Sequence, residues 1–239
     1  MIRKGLMVVL ALAAFAVSVG SVAEATPVTC RTGLGCLNGT DFFDWTTNYG
    51  PPFSLIPNNS TATSTLGVQV TVNFALGGDG QRRDQTTGGW GGNFTPGDEL
   101  LRTEFGGGPG EGPLNLNGFS QTLSGIGANI DPNFGGDFTA LIQAFDAGRG
   151  LIGSFSENGT GSTNGDGSAI FIGLSNVPGI AFATFSLTSC TLNCEDFAIN
   201  QLDIVTGAVA PVAAPVPGTL LLLASGLVML GYLRRRRSS

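Results

Sequence analysis

Short runs in which apolar and polar residues alternate constrain the fold of this chain more than any other feature. In residues 68–74 the apolar side chains occupy every second position, which is the period of a β-strand that buries one face. Similar runs lie at 138–145, 151–155, 169–174, 180–187 and 197–205. Gly, Asn and Asp residues typical of turns separate them at 146–150, 158–167 and 176–179. The pattern predicts an all-β domain, a β-sandwich of jelly-roll type.

Residues 77–118 interrupt this pattern. They contain two glycine clusters, at 88–92 and 106–110, and few apolar residues. We therefore expect long loops here that join strands. Trp90 lies between glycines that would leave its ring exposed, so it is a candidate ligand contact, with ordinary packing as the alternative.

The N-terminus has the parts of a secretory signal peptide. Arg3 and Lys4 precede an apolar run over residues 6–19, and the sequence Ala23-Glu24-Ala25 fits an A-x-A cleavage site. We expect residues 1–25 to be removed on export. Cleavage after Ala23 and a retained anchor are the alternatives, although the run is short for a membrane span.

The C-terminal tail, residues 211–239, contains a second apolar segment with distinctive flanks. A rigid motif precedes the segment and a basic cluster follows it; the motif is Pro215, Val216, Pro217 and Gly218, and the cluster is Arg234, Arg235, Arg236 and Arg237. The apolar run from Thr219 to Leu233 has 15 residues, which as a helix is about 22 Å long and only marginally spans a bilayer. Arginines favour the cytoplasmic side. We expect a short transmembrane helix at 218–233, a basic stop at 234–237 and the preceding domain outside the cytoplasm.

This order of parts resembles the PEP-CTERM sorting domain of exported bacterial proteins, a tail also labelled an ice-binding protein C-terminal domain. The family motif at 215–217 is Pro-Glu-Pro, and Val216 stands at the glutamate position. The resemblance implies a membrane intermediate, processing by an exosortase-type membrane protease, and transfer to the cell surface or the extracellular biofilm matrix. A plain single-span anchor that is never cut is the alternative.

Charge and composition exclude several functions. Residues 26–210 hold five arginines, no lysine and 16 Asp and Glu residues, a net charge of −11, and such a surface repels nucleic acid. The chain has no histidine, which excludes Ser-His-Asp and Cys-His catalytic sites and zinc sites with histidine ligands. We expect no enzymatic activity, no cofactor and no metal.

The cysteines are Cys30, Cys36, Cys190 and Cys194. An even number in an oxidising compartment predicts two disulfides, with three connectivities. We favour the local pairs Cys30–Cys36 and Cys190–Cys194. Pairing between the two ends of the domain and a zinc site of four thiolates are the alternatives.

Acidic residues suggest two further chemistries. Asp131, Asp137 and Asp166 are candidates for an irregular calcium site, and turn capping is the stronger interpretation of them. Carboxylates for glycoside hydrolysis would come from Asp98, Glu99, Glu104, Glu195 and Asp196. Neighbouring positions in a chain do not define the separation that such a pair requires.

We therefore expect residues 26–210 to form the ectodomain of a non-enzymatic cell-surface or extracellular-matrix protein. A carbohydrate-binding module that holds exopolysaccharide through the loops around Trp90 is the first alternative. A plain membrane-anchored surface protein and a hydrolase are the others.

Overall fold

The computed structural model describes residues 28–31, 34–85, 89–105, 112–133, 135–191 and 196–207. The predicted signal peptide and sorting tail lie outside the described residues, as do Cys194 and Glu195. Within the described ranges, no helix has the length and apolar character needed to cross a membrane.

Two antiparallel sheets make up a β-sandwich-like fold in the described part of the chain, so the all-β prediction is confirmed. Sheet A contains β1 (Val28–Cys30), β2 (Asp41–Phe43), β3 (Leu55–Ile56), β6 (Asp79–Asp84), β7 (Glu99–Phe105), β9 (Leu123–Pro132), β12 (Ile170–Ser175), β14 (Phe197–Ile199) and β15 (Leu202–Thr206). Sheet B contains β4 (Ser60–Thr63), β5 (Gln69–Phe74), β8 (Leu114–Asn117), β10 (Gly136–Phe145), β11 (Leu151–Gly161) and β13 (Phe182–Cys190). Two short helices are α1 (Leu34–Leu37) and α2 (Trp45–Tyr49).

Strand order differs from chain order in both sheets. Sheet A runs β1-β12-β9-β14-β7-β6-β3, and β15 pairs with both β9 and β2. Sheet B runs β11-β10-β13-β8-β5-β4. The inner faces of both sheets share one hydrophobic core, in which Val70 and Ile142 of sheet B and Ile130 and Ile172 of sheet A are almost completely buried.

The expectation that residues 77–118 are long loops is wrong for 17 of these 42 residues, which form strands. The stretch contains β6, β7 and β8, and Leu100 and Leu101 are fully buried. The prediction failed here because it relied on apolar residues, which are few in this stretch. β6 instead buries polar side chains, among them Gln81 and Arg82.

Several predicted strands have different bounds. β11 continues to Gly161, so four of the ten residues of the predicted 158–167 loop are strand. The predicted strand at 197–205 is two strands, β14 and β15, separated by Asn200 and Gln201. The long central strand β9 was not among the predicted strands, because Gly125 and Gly127 take outward positions where polar residues would complete an alternating pattern.

Those glycines make room for residues packed on the outer side of sheet A. A Cβ at Gly127 would lie 2.6 Å from the Phe171 ring, and one at Gly125 would lie 3.0 Å from Leu37 in α1. Phe171, Leu37 and Cys30 form a small buried cluster there. Sheet A is therefore covered on both faces along β9: Ile126, Ala128 and Ile130 face the core, and glycines rather than polar residues lie beneath the outer layer.

The predicted Cys30–Cys36 disulfide is present and holds α1 against β1, with 5.4 Å between the two Cα atoms. Cys190 is also disulfide-bonded. Its predicted partner, Cys194, lies outside the described residues.

Candidate functional site

An acidic cleft of about 570 Å³ opens on the outer side of sheet A. We call it the acidic cleft; its lining residues are Phe42, Asp44, Trp45, Gly97, Asp98, Glu99, Asn129, Phe171, Asn200, Gln201 and Asp203. Four of these carry carboxylates, three carry amides and three are aromatic. The lining contains no Lys or Arg, so the cleft is a negatively charged, hydrogen-bonding surface with apolar walls.

Helix α2 forms one wall because Trp45 anchors it to the sheets. The Trp45 side chain is fully buried, and its Nε1–H donates to the Asn200 carbonyl over 2.7 Å. Asp44 is the N-cap of this helix and accepts a hydrogen bond from the Thr47 N–H at 2.8 Å. The cap therefore holds the Asp44 carboxylate at the rim of the cleft.

The floor is built from paired asparagines on β9 and on the link between β14 and β15. The Asn129 N–H donates to Asn200 Oδ1 at 2.9 Å, and the Asn200 N–H donates to the Asn129 carbonyl at 3.2 Å. Asn129 Nδ2 donates to the Ala169 carbonyl at 2.7 Å. β14 and β15 both pair with β9, and the side-chain amide of Asn200 supplies a hydrogen bond to β9 in the gap between them.

Glu99, the first residue of β7, is held in place from two sides. Its Oε2 accepts from the Thr46 N–H at 3.3 Å, and its Oε1 lies 3.6 Å from Arg82 Nη2. The Arg82 side chain is only 1% exposed and also contacts Asp84 and Thr46. This cation lies behind the wall, so it balances charge without being offered to a ligand.

Burial and hydrogen bonding separate the pKa values of the cleft carboxylates. For Asp44, burial acts to raise the pKa, but hydrogen bonds from Thr47 and a contact with Glu99 outweigh it and the pKa is lowered. Burial raises the pKa of Asp98 against opposing hydrogen bonds from Thr95 and Asn200. Burial also raises the pKa of Asp203 to about 6, opposed by a hydrogen bond from Gln201. Asp44 and Asp203 are therefore mainly ionised at neutral pH.

Trp90 is not part of this cleft, and the expectation that its flanking glycines expose it is wrong. The side chain is 2% exposed and packs with Phe94 and Leu100. A Cβ at Gly92 would lie 2.5 Å from Trp90 Nε1 and 2.1 Å from Asp131 Oδ2. The glycines therefore permit close packing around the indole.

The predicted acidic sites are dispersed. Asp131 is fully buried in β9 and accepts from the Asn93 N–H at 3.0 Å, whereas Asp137 and Asp166 are exposed. Asp166 accepts from the Ser168 N–H at 3.0 Å, the local capping expected of it. In the described part of the chain, no three Cys, Asp or Glu side chains come together as metal ligands.

Of the predicted glycosidase carboxylates, only Asp98 and Glu99 line the cleft. Asp196 is buried and pairs with Arg102. The side chain of Glu104 and the whole of Glu195 lie outside the described residues.

Sequence reasoning missed most of the cleft, including Asp44, Asn129 and Asp203. Two local signals could have identified part of it. Asp44 stands where a helix N-cap is expected, directly before Trp45-Thr46-Thr47. The polar pair at 200–201 interrupts an otherwise apolar run, which indicates a break in the strand.

No protein-family model matches this chain, and neither does any curated protein.

Proposed function

We propose that this chain is an exported, non-enzymatic cell-surface or extracellular-matrix protein that binds exopolysaccharide in the acidic cleft. The observation that carries the proposal is the combination of four carboxylates and three amides around one concave surface with aromatic walls. Carboxylates accept hydrogen bonds from sugar hydroxyls, and amides both donate and accept. The half-buried Phe42 ring supplies apolar contact area for the C–H face of a sugar ring, whereas Trp45 and Phe171 are buried in the wall.

The charge of the cleft limits the class of polysaccharide. Since the lining holds four carboxylates and no Lys or Arg, and Arg82 contacts Glu99 from behind the wall, uronic-acid or sulfated polymers would be repelled. Neutral sugars and sugars with protonated amino groups are compatible, and the amino sugars gain electrostatic attraction. The preferred ligand is therefore a polysaccharide that contains amino sugars.

A titration of the full-length protein, in mild detergent, with glucosamine oligomers tests this proposal. We expect saturable binding that weakens as salt is added, and no binding of alginate oligomers, which carry carboxylates. Glu99→Gln should weaken binding about three- to ten-fold, because it removes one cleft charge while leaving an acceptor for Thr46. No binding by the unmodified protein, or equal binding of alginate, would contradict the proposal.

Asp79→Asn is the matched control. Asp79 Oδ1 accepts from the Asn58 N–H at 2.9 Å, so this substitution also removes one charge and leaves an acceptor for a backbone N–H. Asp79 lies at the end of the β6–β7 pair opposite Glu99, so the change should leave affinity for glucosamine oligomers within about two-fold, through screened charge alone. A reducing-end assay on the same mixtures should detect no cleavage of the oligomers.

The proposal includes the route to the surface. We infer that residues 1–25 direct export and that the tail at 211–239 is inserted in the membrane and cut near Pro215-Val216-Pro217, by an exosortase-type protease. Two prolines cannot continue a helix and leave an extended segment open to proteolysis. Intact mass of the protein recovered from its native cell surface tests this route. A C-terminus retained in cells with a working exosortase would favour the plain anchor.

The finer description of the ectodomain belongs to the same proposal. We infer a jelly-roll-like connection of the two sheets, a single ectodomain over 26–210 and a transmembrane helix at 218–233. Limited proteolysis of the purified protein should release a stable fragment with boundaries near residues 26 and 210. Early cleavage within the sandwich would contradict a single domain.

A further inference from the structure

The outer face of sheet B has a different chemistry from the acidic cleft. Along β10 and β13, buried apolar residues alternate with outward-facing ones, which include hydroxyl and amide side chains together with the apolar Leu141, Phe145 and Phe182. We call this surface the amide–hydroxyl face; its outward residues include Thr61, Thr71, Asn73, Asn115, Asn117, Thr139, Gln143, Ser154, Ser156, Asn158, Thr184 and Ser186.

The strand register aligns these side chains in rows across the sheet. One row crosses five strands through the directly paired residues Ser154, Gln143, Thr184, Asn115 and Asn73. The next row runs through Phe145, Phe182, Asn117, Thr71 and Thr61. Neighbouring members of a row are about 4.8 Å apart, the distance between strands.

Much of the hydrogen-bonding capacity of this face is unused within the protein. The side chains of Gln143, Ser154 and Thr184 are exposed or half-buried and make no side-chain hydrogen bond to another described residue. Other members use part of their capacity within the protein: Asn115 Nδ2 donates to Asn73 Oδ1 at 2.8 Å, and Asn73 Nδ2 donates to Asn58 and Asn59. The face therefore offers donors and acceptors together at regular spacing.

Charge is confined to the ends of the face. Among the described outward positions of sheet B the only carboxylate is Asp137, beside a shallow depression of about 830 Å³ lined by Thr139, Asn158 and other polar groups. At the opposite end the Arg149 guanidinium lies 4.1 Å from the centre of the Phe182 ring. The described outward side chains between these two ends carry no charge that could pair with an ionic ligand.

We propose that the amide–hydroxyl face is a second binding surface, which docks on ordered chains of a neutral polysaccharide. The match is one of charge and hydrogen bonding: an uncharged polymer with a hydroxyl on every sugar both donates to and accepts from the two rows. Phe145 and Phe182 add an apolar contact at one end. The two binding surfaces lie on opposite sides of the sandwich, so one protein molecule can link two polysaccharide chains.

Co-sedimentation of the full-length protein with microcrystalline cellulose, in mild detergent, tests this proposal. The unmodified protein should bind, and Gln143→Glu with Thr184→Glu should lower the partition constant at least about ten-fold, because two carboxylates would lose water on docking without gaining a partner. The milder Thr184→Val should weaken binding about two- to five-fold through loss of one hydroxyl. Thermal unfolding of each variant checks that its fold is retained.

The matched control is Gln121→Glu with Thr122→Glu, which adds the same two charges at exposed positions outside both rows. It should change the partition constant less than about two-fold. The proposal would be overturned if the unmodified protein failed to bind cellulose or if the control lost as much binding as the double variant. It would also be overturned if the protein associated with itself through this face and did not bind cellulose. Glu99→Gln should leave cellulose binding unchanged, so this result is independent of the cleft.

Discussion

The two outer faces of the sandwich differ in how they are covered and in the charge that they carry. Sheet A has a second layer on its outer side, made of Phe171, Leu37 and the disulfide of Cys30, and the acidic cleft opens beside that layer. Sheet B presents an uncovered array of amides and hydroxyls. The covered face concentrates carboxylates in a concave site, whereas the uncovered face offers a regular neutral surface. One sandwich therefore presents two chemically distinct binding surfaces.

Adding a side chain under the outer layer of sheet A should have the largest effect on stability. In Gly127→Ala the new methyl group would lie 2.6 Å from the Phe171 ring, and overpacking of this kind costs about 1–3 kcal/mol of unfolding free energy. Gly91→Ala is the control, since nothing lies within 4 Å of a Cβ there. Urea unfolding compares the two; equal midpoints would show that the layer over β9 is not tightly packed.

The disulfide at Cys30 and Cys36 should stabilise the same layer. It closes a small loop, so replacing both cysteines with serine should lower the unfolding free energy by about 2 kcal/mol. Mature protein should also show no free thiol on alkylation without reduction. Quantitative labelling of the cysteines would contradict this part of the account.

The free energy of unfolding should depend on pH because two aspartates of sheet A, Asp203 and Asp131, are buried. Because burial raises the folded-state pKa of Asp203 to about 6, above its unfolded value of about 3.9, its contribution to stability is complete below about pH 4 and is lost as pH rises towards 6. Asp131, with a pKa raised by burial to about 7, extends the loss to about pH 7. Asp203→Asn should remove the change in unfolding free energy between about pH 4 and pH 6, which is on the order of 1–2 kcal/mol. Urea unfolding at several pH values measures it, and an unchanged pH profile would contradict the assignment.

The smallest expected effect concerns the edge of sheet B. The Thr63 N–H of β4 donates to Asn48 Oδ1 at 2.6 Å, and Asn48 Nδ2 donates to the Thr63 carbonyl at 3.0 Å. Asn48→Ala would remove this cap and cost about 1 kcal/mol, with the edge strand then open to pairing with other chains. Asn117→Ala, at a position without such a cap, should shift the thermal midpoint by less; an equal shift would argue against edge capping.

The sequence predicted sheet B better than sheet A, for a physical reason. β5 and β10 bury one face only, so their apolar residues alternate and identify them as strands. β9 is covered on both faces, and the glycines that admit Phe171 and Leu37 replace the polar residues that would alternate with its core-facing ones. The cleft escaped prediction for the same reason. Its residues come from five separate segments that only the pairing of sheet A brings together.

A displacement experiment tests most directly the claim that the two faces bind independently. Full-length protein is first bound to microcrystalline cellulose, and glucosamine oligomers are then added to saturation while protein in both fractions is measured. The account predicts that the protein stays on the cellulose and that the sediment captures the oligomers, because the acidic cleft remains open when the amide–hydroxyl face is occupied. Release of the protein by the oligomers would show that both ligands compete for one surface and would contradict the account.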